Sequence, residues 1–293
     1  MAIVYDRLLK LDLPERQHSY DERDTMLYAL GVGMATDPMD EDDLSFVVEN
    51  GAFDGRLKAL PGLATVIAWD DSFGPASGLD MLMVVHGEQR ITLHKPLPAK
   101  GRIIAKTRIV DAFDKGPGKG AIVLVENLIR DAETGEKLVT LLSTTFARGD
   151  GGFGEPARAT PAAPPTPHKV PERAPDFSLA AKTQPNQALF YRLCGDRNPL
   201  HADPHFAKAA GFPRPILHGL CTYGHAVRAV VKTACKHDPA LVEHIEARFT
   251  APVFPGETIV TDIWQDGATV SFRARLAERD VKVLDNGLVR LRG

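Results

Sequence analysis

The feature that most constrains the fold is a pattern that occurs twice along the 293 residues. In each half of the chain, a strand-like segment is followed by a proline-containing crossover and a second strand-like segment. The first copy comprises Glu88 to Leu93, Pro96 to Gly101 and Ile103 to Val110, and the second comprises Ile245 to Phe249, Pro252 to Gly256 and Thr258 to Trp264. Because proline cannot donate to a strand ladder, it marks the point where the chain leaves a strand. The repeat predicts a duplicated fold.

A segment rich in glycine and proline separates the two copies. Between Gly149 and Asp176, three glycines are followed by seven prolines. Proline lacks a backbone donor and favours extended polyproline geometry, which is typical of a semi-rigid linker. The sequence therefore predicts an N-terminal domain over residues 1–150, a linker over 151–175 and a C-terminal domain over 176–293.

Periodicity within the halves predicts few helices and many strands. Helices are expected at Asp21 to Leu30, Gln184 to Leu193, Pro204 to Ala210 (capped by Asp203) and His218 to Thr233. Strands are expected at Leu63 to Trp69, Glu88 to Leu93, Arg102 to Ala112, Ala121 to Arg130, Lys137 to Arg148, Ile245 to Thr250, Thr258 to Gln265, Thr269 to Ala277 and Val281 to Arg290. Hairpin turns are expected at Asp266-Gly267 and Asn286-Gly287. Each half then holds an antiparallel sheet with a helix on one face, which is an α+β architecture.

Composition excludes several classes of function. The formal net charge is −3 and both signs are mixed along the chain, so no basic surface is expected for nucleic acid. No apolar run approaches the roughly 20 residues that cross a bilayer, and the first residues lack the features of a signal peptide. The three cysteines form no C-x-x-C pair, which suits a reducing compartment. We therefore expect a cytoplasmic protein with neither a nucleic-acid nor a membrane partner.

The densest chemistry of the chain lies in the stretch Gly195-Asp196-Arg197-Asn198-Pro199-Leu200-His201. It places an acid, an amide and an imidazole within six positions. Asp196 and His201 can supply a general acid and a general base from one loop, whose backbone Pro199 stiffens. Asn198 carries an amide that can hold a water molecule or the carboxylate.

A glycine follows at the predicted start of the longest apolar helix. Gly219 comes directly after Leu217-His218. At a helix N-terminus the backbone N–H groups are unpaired and the dipole is positive, and a residue without a side chain allows close approach. This position can therefore donate to an oxygen that becomes negatively charged.

Together these residues resemble the signature of the hydratase 2 (MaoC-like) family of R-specific enoyl-CoA hydratases. The resemblance rests on residues 195–201 with Tyr191 before them, and on residues 216–224. It extends to His86-Gly87-Glu88-Gln89, Lys95-Pro96-Leu97-Pro98, Asp114-Lys115-Gly116, Ala247-Arg248-Phe249 and Pro252-Val253-Phe254-Pro255-Gly256-Glu257, in both halves of the chain. It implies a double hot-dog fold, in which each half wraps a sheet around one helix. It also implies reversible addition of water to trans-2-enoyl-CoA, giving (3R)-3-hydroxyacyl-CoA, with no cofactor beyond the CoA of the substrate.

The resemblance also implies roles for individual residues. Asp196 and His201 are expected to hold one catalytic water, with His201 as the base toward water and Asp196 as the proton donor to carbon. Gly219 is expected to donate its N–H to the thioester oxygen. Contacts to the CoA or the acyl chain are expected from His86, Gly87, Lys115, Arg197, Pro199, Leu200 and Phe249. A homodimer is expected by analogy with this fold.

The first half lacks a counterpart of the catalytic loop. If Leu27 to Gly33 corresponds to Phe190 to Asp196, a glycine stands in the place of the acid. One active site per chain is therefore expected, with the N-terminal half as a wall. The stretch Ser72 to Gly78 interrupts the central helix of this half and leaves only Leu79 to Val85 for it. In the family, a reduced helix opens a tunnel for long or bulky acyl groups, so medium-to-long acyl chains are expected.

Several alternatives stay open at this point. His201, Asp203 and His205 have the residue types of metal ligands, but Asp203 is better used as a helix cap and no third imidazole is evident, so no metal is expected. Three other functions are a 3-hydroxyacyl-thioester dehydratase of fatty-acid synthesis, a hot-dog thioesterase and a non-catalytic acyl-CoA binder. The spacing of Asp196 and His201 does not favour the thioesterase, and the intact loop does not favour the binder.

Overall fold

The computed structural model describes residues 4–49, 56–69, 73–154 and 166–293, except for the side chains of Pro75 and Leu82. Ser72 and residues 155–165 of the predicted linker lie outside the described residues. The helices are α1 (Tyr5–Leu9), α2 (Glu22–Gly31), α3 (Glu41–Leu44), α4 (Phe73–Ser77), α5 (Gln187–Tyr191), α6 (Pro204–Ala209) and α7 (Gly219–Lys232). The strands are β1 (Arg16–Tyr20), β2 (Val84–Leu93), β3 (Gly101–Asp114), β4 (Ala121–Asp131), β5 (Lys137–Ala147), β6 (Phe177–Lys182), β7 (Val242–Phe249), β8 (Thr258–Asp266), β9 (Thr269–Leu276) and β10 (Lys282–Leu291). None of these helices has the length and hydrophobicity needed to cross a membrane.

The ten described strands form one antiparallel sheet in the order β1-β3-β4-β5-β2-β7-β10-β9-β8-β6. From the outer edge to the middle of the sheet, the first half has the order β1, β3, β4, β5, β2, and the second half has the order β6, β8, β9, β10, β7. The two halves therefore have the same connectivity. The predicted duplication is thereby confirmed. The two expected sheets are joined, because Glu88–Thr92 of β2 pairs with His244–Arg248 of β7. The domain boundaries at residues 150 and 176 stay predictions.

The long helix α7 is buried on all its sides. Every residue from Leu220 to Val231 is buried, and the helix packs against β7, β8, β9 and β10 of its own half. It also packs against a buried 3-10 helix of the first half, Pro61–Thr65. A helix that is buried around its circumference is enclosed by other elements on every side. Both halves of the chain therefore fix the position at which α7 begins.

The first half has short helical turns where the second half has α7. The predicted strand at Leu63 to Trp69 is wrong, because this segment begins inside the 3-10 helix Pro61–Thr65. The predicted helix at Leu79 to Val85 is also wrong, since Met81–Met83 is a 3-10 turn that leads into β2. A short apolar run without a clear period does not distinguish a buried strand from a buried helical turn. Within the described residues from 56 to β2, helical segments have at most five residues, so the reduced N-terminal helix is confirmed.

The two predicted hairpin turns have different outcomes. Asp266-Gly267 joins β8 to β9, and Gly267 adopts a φ of +64°. Asn286-Gly287 lies instead within β10, where the register shifts as a bulge. Asn286 has a φ of +59°, and a Cβ on Gly287 would lie 2.4 Å from the carbonyl oxygen of Phe272. An Asn-Gly pair favours left-handed backbone, which turns and bulges both use.

Candidate active site

The loop of residues 195–201, here called the catalytic loop, is folded by hydrogen bonds between near neighbours. The Asp196 carboxylate accepts a hydrogen bond from the backbone N–H of Asn198 at 3.0 Å. The side-chain oxygen of Asn198 in turn accepts one from the N–H of Leu200 at 3.0 Å and caps the turn Pro199–His201. The contact of Asn198 with the carboxylate therefore uses its backbone N–H, where the sequence pointed to the side-chain amide. Such short-range bonds make the loop shape a property of the local sequence.

Both ends of the catalytic loop are held by contacts outside it. Gly195 adopts a φ of +147°, and a Cβ there would lie 3.1 Å from the Cβ of Trp69 in the first half. After the loop, Asp203 caps α6 by accepting the N–H of His205 at 2.8 Å, as predicted, with Pro204 at the first helical position. The loop is thus fixed between the first half of the chain and α6.

Asp196 and His201 face each other across a short gap. The Nε2 atom of His201 lies 4.0 Å from Oδ2 of Asp196, and their side chains are 8% and 13% exposed. This distance is too long for a direct hydrogen bond and allows one oxygen atom to contact both groups. On the other side of the ring, Nδ1 lies 2.9 Å from the carbonyl oxygen of Ile216. Because a carbonyl oxygen only accepts, Nδ1 carries the proton, and the lone pair of Nε2 faces Asp196.

The electrostatic environment keeps His201 neutral. Burial lowers the pKa of His201 below its ordinary value, and this effect exceeds the opposing effects of the Asp196 charge and the Ile216 carbonyl. A neutral imidazole with a free lone pair can take a proton from a water molecule. The arrangement therefore gives His201 the chemistry of a general base.

Gly219 begins α7 next to an aromatic wall. A Cβ on Gly219 would lie 3.2 Å from Cε1 of Phe249, closer than most side chains tolerate. Phe249 ends β7, and its ring lies 4.8 Å from the ring of His86. The first N–H groups of a helix have no partner within the helix. Since Gly219 has no side chain of its own, these N–H groups are candidate donors to a carbonyl oxygen, with the ring of Phe249 beside them.

His86 and Gly87 lie at a bulge of β2. The pairing of β2 with β5 shifts between His86 and Glu88, so that Gly87 is the extra residue. A Cβ on Gly87 would lie 2.6 Å from Oγ1 of Thr144, so a larger residue does not fit. Burial lowers the pKa of His86 to about 4. The bulge places a neutral imidazole against Phe249, at the rim of the site.

The remaining predicted contacts lie on the loop or away from it. Arg197 and Pro199 are exposed on the catalytic loop, and Leu200 is half-buried. Lys115 is exposed in the turn between β3 and β4, and β3 lies three strands from β2, or about 14 Å at the usual strand spacing. The strand β3 before Lys115 is therefore not adjacent to β2, which carries His86 and Gly87. All four stay predictions as contacts to substrate.

Two residues of the site were assigned no catalytic or binding role from the sequence. His218 stacks on His201 with ring centroids 3.8 Å apart, and Trp69 packs on Gly195. His218 precedes Gly219 in the stretch that resembles the family, so its position carried a signal. Trp69 carried none, because its contact joins residues more than a hundred positions apart.

The possible metal ligands at the site are not oriented to bind one metal ion. Asp196, His201 and His218 offer ligand atoms within 4.8 Å of one another. The two imidazole rings, however, are stacked at an interplanar angle of 28°. Lone pairs lie in the ring planes, so nearly parallel rings do not direct them at one ion. Asp203, from the trio weighed in the sequence, serves as the cap of α6.

Buried neutral histidines make the stability of the fold sensitive to acid. Burial lowers the pKa of His218 and that of His225 to about 3, from 6.5. Since the folded pKa is depressed, their contribution to stability is complete above pH 6.5 and is lost as the pH falls toward 3. We expect the free energy of unfolding to fall by up to about 1.4 kcal/mol per pH unit for each of them below pH 6. Urea unfolding at pH 7, 6 and 5 measures this slope.

The variant His225→Phe removes one of the two groups and should make this pH dependence shallower. An equal slope in the parent and the variant would contradict the assignment.

Comparison with known proteins finds relatives over most of the chain. A family model described as MaoC like domain matches residues 167–286, and one described as MFE-2 hydratase 2 N-terminal domain matches residues 18–149. The chain is 41% identical over 298 residues to the peroxisomal enoyl-CoA hydratase 2 of Arabidopsis thaliana, covering 98% of this chain and 95% of the relative.

Solved structures agree with the fold. A MaoC-like dehydratase from Phytophthora capsici matches with a TM-score of 0.84 at 34% identity, over 98% of each chain. A Mycobacterium tuberculosis protein described as having a double hot-dog fold matches with a TM-score of 0.58 at 18% identity, over 96% of this chain and 94% of its own. The predicted double hot-dog fold is thereby confirmed. With the catalytic loop, the helix start at Gly219 and these matches in both halves, the chain belongs to the MaoC-like hydratase 2 family.

Proposed function

We propose that this chain is a (3R)-specific enoyl-CoA hydratase, which adds water reversibly to trans-2-enoyl-CoA. The observation that carries the proposal is the free lone pair of His201 Nε2, 4.0 Å from the Asp196 carboxylate. A base, an acid and a backbone donor are the groups that this reaction needs. The name of the plant relative, enoyl-CoA hydratase 2, supports the same reaction.

In the first step, water attacks the β carbon of the enoyl group. His201 takes one proton from the water through Nε2 while the water oxygen bonds to this carbon. The electrons of the double bond move toward the thioester, whose oxygen becomes negative. The N–H of Gly219 at the start of α7 donates to that oxygen, which lowers the barrier by about 3 kcal/mol for a donor of this kind.

In the second step, the proton on His201 passes to the Asp196 carboxylate through an oxygen atom that contacts both, across the 4.0 Å gap. Asp196 then delivers this proton to the α carbon. The thioester carbonyl is restored, the product has gained the two hydrogens and the oxygen of one water, and Asp196 and His201 return to their starting states. Each step is reversible, so the same residues perform dehydration of a 3-hydroxyacyl thioester.

We infer that the preferred acyl groups are medium-to-long or bulky. The support is the first half of the chain, where the described helical segments between residue 56 and β2 are short. A full-length helix in this place would occupy the volume next to Trp69 and the catalytic loop. The absence of a cofactor other than CoA, the homodimer and the cytoplasmic location stay predictions from the sequence.

The test is an assay of purified protein with trans-2-enoyl-CoAs from four to sixteen carbons. Loss of the conjugated-enoyl absorbance measures hydration, and chiral analysis of the product should give the (3R) alcohol. We expect kcat/KM to be higher for substrates of eight or more carbons than for the four-carbon one. A preference for the four-carbon substrate would contradict the inferred chain length, and the (3S) product would contradict the proposed reaction.

The same assay separates the alternatives. Release of free thiol without loss of the enoyl group would indicate a thioesterase. Tight binding of acyl-CoA without turnover would indicate a non-catalytic binder. Starting from (3R)-3-hydroxyacyl-CoA, the appearance of enoyl absorbance measures the dehydratase direction. Because the Phytophthora capsici protein is described as a dehydratase, both directions should be assayed.

A further inference from the structure

His218 links the three parts of the site that the reaction uses. It is fully buried directly before Gly219, and its backbone carbonyl accepts the N–H of Cys221 at 3.0 Å and that of Thr222 at 3.1 Å at the start of α7. Its ring stacks on His201, with centroids 3.8 Å apart. Its Nε2 atom lies 3.1 Å from the backbone carbonyl of Asp196. One residue thus touches the base, the backbone of the acid and the helix that carries the donor.

Two backbone carbonyls fix the proton positions on the stacked rings. The Nδ1 of His201 faces the carbonyl of Ile216, and the Nε2 of His218 faces the carbonyl of Asp196. Because a carbonyl only accepts, each of these nitrogens carries the proton. The Nε2–H of His218 therefore holds the backbone of Asp196 in place, while the face of its ring limits the rotation of His201. Tyr191 packs on His218 in turn, with ring centroids 5.0 Å apart.

We propose that His218 is a positioning residue that sets the distance and orientation between Asp196 and His201. The proposal deepens the proposed function and rests on it for its effect on turnover. His218 acts through its two neighbours and takes no proton from the substrate. It contributes one donor and one flat neutral surface.

The charges around the stack are consistent with a neutral His218. Burial lowers its pKa to about 3, and the neighbouring His201 and Arg192 act in the same direction. If His218 carried a charge, it would oppose the protonation of His201 during the reaction. The carboxylate of Asp196 is the charged group on the other side of His201, and it raises the pKa of that imidazole. Displacing Asp196 would therefore lower the pKa of His201.

The test compares two substitutions that separate the two contributions. His218→Phe keeps a flat ring but removes the donor to Asp196. We expect kcat to fall by about 10- to 100-fold with KM within about threefold, since small misplacements of catalytic groups cost this much. The acidic limb of the pH profile of kcat/KM should move to lower pH. His218→Gln keeps a donor that can reach the carbonyl, and we expect its acidic limb to stay near that of the parent.

The control is His225→Phe, a substitution of the same kind at a buried histidine within α7, the helix that His218 precedes. Neither ring nitrogen of His225 has a hydrogen-bond partner among the described residues, so kcat and the acidic limb should stay unchanged. Circular dichroism and thermal unfolding report whether each variant is folded. Equal kinetic changes in His225→Phe and His218→Phe would overturn the proposal, as would a His218→Phe variant with kcat within about twofold of the parent and the same acidic limb.

An NMR titration of the His201 ring proton tests the proposal without turnover. The pKa of His201 should be lower in the His218→Phe variant than in the parent, and it should equal the parent value in the His225→Phe variant. If the parent protein hydrates no enoyl-CoA but this shift is observed, the proposed function fails and the positioning role holds. If the parent is active and the His201 titration is the same in His218→Phe, the positioning role fails and the function holds.

Discussion

Replacing Asp196 with Asn is expected to lower kcat by about 10³-fold while the fold is retained. The amide has nearly the shape of the carboxylate and can still accept the N–H of Asn198, which now lies 3.0 Å from Oδ1. It cannot deliver a proton to carbon, and a positioned acid or base contributes about 10²- to 10⁴-fold. His201→Gln should cause a loss of the same order, since an amide is too weakly basic to take a proton from water. Steady-state hydration of the preferred enoyl-CoA measures both.

The chain offers a matched control for each of these substitutions. Asp203→Asn changes an acid seven positions further along that caps α6, and asparagine caps a helix as well as aspartate does. His205→Gln changes an exposed imidazole on the same helix. Both should keep the activity of the parent. Unchanged rates in Asp196→Asn and His201→Gln would overturn the assignment of the acid and the base.

Gly219→Ala is expected to lower kcat by about 100-fold with only a small change in stability, because the close contact with Phe249 and the higher helix propensity of alanine oppose each other. The added Cβ would lie 3.2 Å from Cε1 and 3.4 Å from Cδ1 of Phe249, beside the N–H group that is proposed to donate to the thioester oxygen. Loss of one oxyanion donor costs about 10²- to 10³-fold in kcat. Alanine also favours a helix more than glycine by up to about 1 kcal/mol. Kinetics and thermal unfolding together measure the two effects.

A second glycine of the same helix provides the contrast. A Cβ on Gly224 would lie 2.4 Å from Cγ1 of Val32 and 2.8 Å from the hydroxyl of Tyr28. Gly224→Ala should therefore lower the free energy of unfolding by about 1–3 kcal/mol through overpacking. If Gly219→Ala instead lost stability and kept its kcat, the proposed donor role would be wrong.

Much of the fold follows from patterns among residues that lie close together in the sequence. The repeated pattern of a strand, a proline-containing crossover and a second strand predicted the duplicated connectivity. The pair Asp203-Pro204 predicted the start of α6. The apolar stretch after Gly219 predicted α7 to within one residue at each end. These features depend on periodicity and on hydrogen bonds between near neighbours, which a sequence displays directly.

Other elements were missed because their conformation depends on distant partners. The strands β1 and β6 are short segments at the edges of the sheet with mostly exposed side chains, and neither has a buried apolar face. Such segments become strands only because β3 and β8 offer free hydrogen-bonding edges. The segment from Leu63 to Trp69 has an apolar composition that fits several buried conformations. Its contacts with α7 and with Gly195 select helical turns.

The sequence by itself predicted which residues carry the chemistry, and it determined how the catalytic loop folds, because the bonds from Asn198 to Asp196 and from Leu200 to Asn198 each span two positions. Only the tertiary structure decided the protonation and orientation of His201, since the Ile216 carbonyl and the ring of His218 reach it from elements 15 and 17 positions away. It also decided the burial that lowers the pKa of His201 and the aromatic wall over Gly219. The physical reason is that desolvation and ring packing depend on what surrounds a side chain in space, and residues far apart in the chain supply those surroundings.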